Sequence, residues 1–296
     1  MRPLALYDPT LDALVEEQRR VVAALPPGPP PPPPPGALLP GVDQALPGRP
    51  DLKVRILRPD KLRGVLLHVH GGGFTFGTPA MADGGNSRLA RAAGIAVVSV
   101  DYRLAPLHVH PAAVDDCEAA ALWLLAESRA LFGTDRVLIG GDSVGATLST
   151  LTLLRLRDRH DAASRIRAAH LVVGGYDLSM TPSQRHSTDA LFLSPARLRD
   201  TRRAAFPGLD GEQLRDASIS PLYADLKGLP PAIFSVGTQD SLLDDTLFMA
   251  ARWRAAGNVT ELEVYPEATH LFMTQPTRMA AEALRRAAAF IDRQLG

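Results

Sequence analysis

Ser143 sits in Gly141-Asp142-Ser143-Val144-Gly145, directly after the apolar run Arg136-Val137-Leu138-Ile139-Gly140 and before a helix-like stretch. A serine held on so sharp a strand-to-helix turn can attack a carbonyl carbon, and small residues two positions to either side let the backbone bend without collision. The string alone decides little. With 24 Gly in 296 residues, a G-x-S-x-G pattern arises by chance in roughly one such chain in ten. The chemistry needs a base to take the serine proton and an acid to hold that base in the right tautomer.

Both groups follow the serine, in the order and setting that elbow hydrolases use: acid then histidine, each on a loop after a later strand. Asp240 follows the strand-like Ile233 to Val236 in Gly237-Thr238-Gln239-Asp240, and His270 follows the strand ending at Tyr265 in Pro266-Glu267-Ala268-Thr269-His270. His160, His170 and His186 also lie beyond Ser143, near a helix end, at a strand start and in a charged insertion. Asp177 also follows a strand and stays open as an alternative acid, while Asp244 and Asp245 read as cap or dipole residues of the next helix. Attack on a carbonyl leaves charge on oxygen, which bare backbone amides can stabilise. His70-Gly71-Gly72-Gly73-Phe74 offers such amides in the early loop, and the amide of Val144 follows the nucleophile.

The elements that must carry these groups alternate. Strands are expected near Lys53 to Leu57, Val65 to Val69, Ile95 to Val100, Val137 to Ile139, Leu171 to Val173, Ile233 to Val236 and Glu261 to Tyr265. Helices are expected over Ala112 to Ser128, Val144 to Arg157, Leu243 to Ala256 and Arg278 to Gln294. This order predicts an α/β fold with a mostly parallel central sheet flanked by helices. Leu11, Leu14, Val15, Val22 and Leu25 fall at helical spacing after Asp8 and Thr10, and nine of the ten residues from Pro26 to Pro35 are proline, a stiff spacer. Leu178 to Asp216 is charged and proline-bearing and reads as an insertion that could form a lid with the first helix. The expected division is a cap helix and linker over 1–50, a catalytic core over 51–177 and 217–296, and a cap insertion over 178–216.

Composition narrows the partners. The formal net charge is zero, with 32 basic and 32 acidic residues, so nothing favours nucleic acid or an anionic membrane, and a small neutral substrate is expected. Cys117 is the only cysteine, which excludes an internal disulfide and agrees with a reducing compartment. No stretch reaches the roughly 20 apolar residues of a membrane span, and Met1 to Arg20 has no signal-type apolar segment, so a cytoplasmic protein is expected.

His70 to Phe74, Asp101-Tyr102-Arg103-Leu104-Ala105-Pro106, Gly141 to Gly145, Ser220-Pro221-Leu222, Leu229-Pro230-Pro231 and Gly237 to Asp240 with Asp244-Asp245 resemble, in order and spacing, the bacterial hormone-sensitive-lipase-like family of carboxylesterases. The resemblance runs from about Leu52 to the carboxyl end. It implies an α/β-hydrolase core with a small helical cap, and hydrolysis of short- to medium-chain carboxylic esters through an acyl-enzyme, with no cofactor. By position it carries over Ser143, Asp240 and His270 as triad and Gly72, Gly73 and Val144 as oxyanion donors. This chain departs from the family in having Val144 for alanine, Ala146 for glycine, Leu107 for an acidic residue and Leu271 for glycine; the branched Val144 side chain would narrow the site. Phe74, Phe76, Phe192, Phe206 and Leu271 are candidate pocket walls, and Asp101, Tyr102 and Arg103 are expected to brace the glycine loop. His68, His108 and His110 have no acidic cluster beside them in the sequence, so no metal site is expected. A lactonase or amide-bond hydrolase with the same triad, or a non-catalytic ligand-binding protein on the same fold, are the alternatives. The oligomeric state is not readable; a homodimer is one option.

Overall fold

Val65-Leu66-Leu67-His68-Val69 and Ile95-Ala96-Val97-Val98-Ser99-Val100 are apolar at nearly every position rather than at alternate ones. Strands covered on both faces have that pattern. A computed structural model of the chain, describing residues 6–25, 34, 36–188 and 193–296, shows why. Eight strands, β1 (Gly41–Leu46), β2 (Arg49–Leu57), β3 (Gly64–Val69), β4 (Ile95–Asp101), β5 (Val137–Asp142), β6 (Ile166–Val172), β7 (Ala232–Gly237) and β8 (Thr260–Tyr265), form one sheet in the order β1-β2-β4-β3-β5-β6-β7-β8. The first two are antiparallel to their neighbours, and β3 through β8 run parallel.

The helices are α1 (Asp12–Ala23), α2 (Asp83–Ala93), α3 (Ala112–Phe132), α4 (Val144–His160), the single turn α5 (Pro182–Arg185), α6 (Pro195–Ala205), α7 (Leu243–Ala255) and α8 (Arg278–Leu295). Leu66, Val97, Leu138 and Ile233 pack under α2 and α8 with Leu89, Phe290 and Ile291. Leu67, Val98, Ile139 and Phe234 point the other way, into a core shared with α3, α4 and α7, where Phe234 meets the Trp253 ring at 5.6 Å. A third cluster at the carboxyl end of the sheet joins Leu11, Val236, Tyr265, Phe272 and Met279. α8 starts cleanly because the Thr277 side chain accepts from Ala280 N at 3.1 Å.

Three differences from the sequence reading have physical causes. Residues 41–46, read as linker, form β1, which pairs antiparallel with β2 and so extends the sheet outside the expected core boundary. α2 was not expected: Gly84 and Gly85 dilute its helix signal, and it forms because Leu89, Ala90 and Ala93 bury against the sheet. In α1 the apolar stripe is only half used, since Leu11 is buried while Val22 and Leu25 are exposed. Except for Pro34, the proline segment lies outside the described residues.

Candidate active site

The carboxyl ends of β3, β5, β7 and β8 face the same edge of the sheet, and each delivers one part of the site. β5 passes through Ser143 into α4. At Ser143 the backbone takes φ 55° and ψ −125°, a strained conformation for a residue with a side chain, and the serine amide is tied to Val172 O at 2.9 Å. Gly141 and Gly145 are required here: a Cβ on either would lie within 2.2 Å of Val69 O. The elbow is thus pressed against the end of β3.

His270 follows β8 and Asp240 follows β7. His270 Nε2 lies 3.0 Å from Ser143 Oγ, and Nδ1 lies 3.1 and 3.0 Å from the two Asp240 oxygens. A carboxylate only accepts, so Nδ1 carries the proton and Nε2 presents its lone pair to the serine hydroxyl. Asp240 and His270 are both buried, and Leu242 N donates to Asp240 Oδ1 at 2.8 Å, so the carboxylate is fixed. Asp177, the other candidate acid, is occupied elsewhere: it accepts from Ser179 N and from Tyr223 Oη at 3.0 Å. Asp244 and Asp245 do not cap their own helix. Asp245 is fully buried and accepts from Tyr176 N, Asp177 N, Thr181 Oγ1 and Gln184 Nε2, and burial pushes its carboxyl up to about 6. Asp244 accepts from Ser183 N. Both stitch α7 to the start of the insertion.

The glycine loop follows β3. Gly72 has φ 127°, and a Cβ there would lie 1.8 Å from Phe76 O, so only glycine fits. A Cβ on Gly71 would approach Ser143 Cβ at 3.4 Å, which places the loop directly against that serine. Among the described residues the amides of Gly73 and Val144 donate to no protein acceptor. Tyr102 braces the loop: its hydroxyl donates to His70 O at 2.9 Å and its ring stacks on His70 at 4.3 Å. Ala105 N donates to Phe74 O at 2.9 Å. Arg103 instead grips the buried Asp116 carboxylate through Nε at 2.8 Å.

The candidate walls divide. Phe74 and Phe206 are buried and meet edge to face at 5.3 Å. Leu271 is half-buried. The Phe76 side chain is 58% exposed, so its carbonyl, not its ring, meets the loop. Phe192 lies outside the described residues. α6 comes down on the loop through Thr201, whose Cγ2 is 3.1 Å from where a Gly73 Cβ would stand. α1 leans on the histidine loop: Gln18 Nε2 donates to Pro266 O at 3.3 Å, and Arg19 Nε donates to Glu267 at 2.6 Å.

A second histidine, missed as a site neighbour in the sequence, lies behind the elbow. Strand register places Ser99, His68, Gly140 and His170 side by side across β4, β3, β5 and β6. His68 Nδ1 meets Ser99 Oγ at 2.8 Å and Asn86 Nδ2 at 3.2 Å, while Nε2 faces Asp142 Oδ1 at 3.4 Å. The Asn86 amide nitrogen can only donate, so His68 Nδ1 accepts and its proton sits on Nε2, toward the carboxylate. His170 is buried with Nε2 unpartnered among the described residues, and burial pushes its pKa down to about 4. The available signal was the apolar strand interrupted at positions 68 and 99. His108 and His110 do not join this row; the His110 ring packs on Phe206 at 5.0 Å.

Residues 66–274 match a family model described as an α/β-hydrolase fold. A carboxylesterase of Mycobacterium tuberculosis, NlhH, is 34% identical over 257 residues, 84% of this chain and 80% of that protein. An acetyl-hydrolase of Streptomyces hygroscopicus is 33% identical over 217 residues, 73% of this chain and 71% of that one. Among solved structures, a hormone-sensitive lipase from a metagenome library superposes with a TM-score of 0.80 at 26% identity, covering 99% of this chain and 94% of that chain.

Proposed function

The chain belongs to the hormone-sensitive-lipase-like family of α/β hydrolases and is a carboxylic ester hydrolase, and from that premise we propose that Ser143, His270 and Asp240 carry its chemistry. The observation that supports this is the unbroken line of contacts from Asp240 through His270 to Ser143 Oγ, at 3.0 to 3.1 Å. Ser143 Oγ attacks the ester carbonyl carbon while its proton passes to His270 Nε2, and Asp240 stabilises the imidazolium that forms. The carbonyl electron pair moves onto oxygen, to which the amides of Gly72, Gly73 and Val144 donate hydrogen bonds, each donor contributing about 10² to 10³ in rate. Collapse breaks the bond to the alcohol oxygen, which leaves with the Nε2 proton. Water then attacks the acyl carbon and gives a proton to Nε2, and as the bond from that carbon to Ser143 Oγ breaks the Nε2 proton passes to Oγ, releasing the carboxylic acid and free Ser143.

The substrates are small neutral esters of short to medium acyl chain. Val144 is buried at the elbow, where its branched side chain takes space that a smaller residue would leave to the acyl group. The relatives' names point the same way: one is an acetyl-hydrolase and another an ethyl acetate hydrolase. The described residues of 178–216, with α1, form the cap over a core built on the eight-stranded sheet. The single cysteine, Cys117, is buried with its thiol pushed up by burial, in keeping with a cytoplasmic enzyme.

A fluorophosphonate probe should label the protein and fail to label Ser143→Ala; undiminished labelling of the variant would refute the assignment. On p-nitrophenyl esters from acetate to dodecanoate, kcat/KM should peak at or below octanoate, and a peak at dodecanoate would overturn the chain-length reading. Matched ester, lactone and anilide substrates separate esterase from lactonase and amide-hydrolase action, with the ester expected to turn over fastest.

A further inference from the structure

A cavity of about 300 Å³ opens in the insertion, between α6, the turn at Ser179 and Met180, and residues 206–214. Three arginines line it. Arg199 and Arg203 are exposed at its mouth, and Arg202 is 92% buried, at 8% relative exposure. Met180, Phe206 and Leu214 supply apolar wall.

Arg202 is a buried cation whose hydrogen bonds, among the described residues, go only to neutral carbonyls. Its Nε donates to Leu198 O at 2.9 Å and Nη1 donates to Leu178 O, while Nη2 has no partner. Among the described residues no carboxylate pairs with it. Arg199 likewise forms no ion pair among them, and Arg203 reaches Asp200 only at 3.5 Å. The one acid on the rim, Asp210, uses its carboxylate to accept from Glu212 N and Gln213 N. Desolvation moves its pKa down to about 10, against the pull of Asp177 and Asp245 from beyond ion-pair distance, and a guanidinium withdrawn from water without a carboxylate in contact among the described residues is costly to keep. Arginine's planar fork matches carboxylate and phosphate oxygens.

We propose that this cavity is an anion site, taking a carboxylate or phosphate group on Arg202 with Arg199 and Arg203 at its entrance. Phe206 forms one wall and also packs on Phe74, the residue after the glycine loop, so an occupied cavity bears on the loop through a single ring. The anion has two sources, a free small anion or the far carboxylate of an ester substrate.

The test begins with Ser143→Ala protein, read by calorimetry so that it stands whether or not Ser143 is the nucleophile. Phosphate and succinate are titrated at constant ionic strength. Saturable one-to-one binding is expected, weakened about tenfold in an added Arg202→Met change. No saturable heat up to about 50 mM, or equal binding after Arg202→Met, overturns the proposal. Should Arg202→Met fail to fold, Arg199→Ala with Arg203→Ala changes only exposed positions; binding should weaken several-fold, and unchanged binding overturns the site. In the active protein, the mono-p-nitrophenyl ester of succinic acid is compared with p-nitrophenyl butyrate. A lower KM for the charged ester that Arg202→Met abolishes identifies the substrate's own carboxylate. Equal KM values, with phosphate binding intact, identify a free anion.

Discussion

Two aspartate–histidine pairs flank the elbow, and they hold their imidazoles in opposite tautomers. In the pair of Asp240 and His270 the carboxylate takes Nδ1–H, at 3.0 Å, leaving Nε2 as a base toward Ser143. In the pair of Asp142 and His68, Asn86 Nδ2 occupies Nδ1 as a donor at 3.2 Å, so Nε2 carries the proton and faces the acid. The first histidine turns a lone pair toward Ser143; the second turns an N–H toward Asp142. Residue types alone do not separate a catalytic pair from a bracing one. The partner on the far nitrogen does.

The largest effect should come from Asp240 and His270, the pair proposed to be catalytic. Asp240→Asn leaves the geometry but favours the wrong tautomer of His270, and kcat should fall about 10⁴-fold; a loss under tenfold in single-turnover kinetics would break the comparison. In the wild type, kcat/KM should fall as pH drops through roughly 6 to 7.

Next is His170, whose imidazole shares the row with His68 but has Nε2 unpartnered among the described residues. Its folded pKa, about 4, lies below the ordinary value, so the unfolded chain takes the proton first. The contribution is complete above pH 6.5 and is lost as pH falls toward 4. Between pH 7 and 5 this amounts to about 2 kcal/mol. Asp245, raised to about 6, acts in the opposite sense, its contribution being lost as pH rises through that value. Urea melts of wild type and His170→Phe at pH 7 and 5 isolate the histidine: the wild type should lose more stability on acidification, and equal losses would count against a buried neutral imidazole.

His68→Leu should lower kcat/KM by about tenfold through loosened support of Asp142, and His68→Gln, which keeps a donor toward that carboxylate, should recover most of it. A loss as deep as that of Asp240→Asn, or no rescue, would erase the distinction between the pairs. The smallest change is Val144→Ala. It should move the optimum toward longer acyl chains by a few-fold in relative kcat/KM without shifting the pH profile.

The parallel core and the meeting of Asp240, His270 and Ser143 were legible in the sequence because apolar runs, strand-end positions and the glycine patterns all constrain the same geometry. β1 escaped because Gly41-Val42-Asp43-Gln44-Ala45-Leu46 is an edge strand with only Leu46 buried, so it carries little apolar pattern. α2 escaped because tertiary burial outweighs its glycines. Asp244 and Asp245 looked like helix caps by position, yet both reach across to residues more than 60 positions away. His68 passed as one more histidine because its meaning depends on Asn86 and Ser99, brought alongside only by the folded sheet. The arginine cavity was equally hidden, since a charged insertion reads as solvated until one of its cations is found buried.

The grip of α1 on the histidine loop joins parts of the chain that lie far apart in sequence. Gln18 and Arg19 hold Pro266 and Glu267, Glu17 accepts from Arg278 N, and Asp8 accepts from Arg286 Nη2. Contacts between residues 248 to 278 positions apart therefore close the fold, and a chain cut between α1 and β1 should hold the loop that carries His270 less firmly.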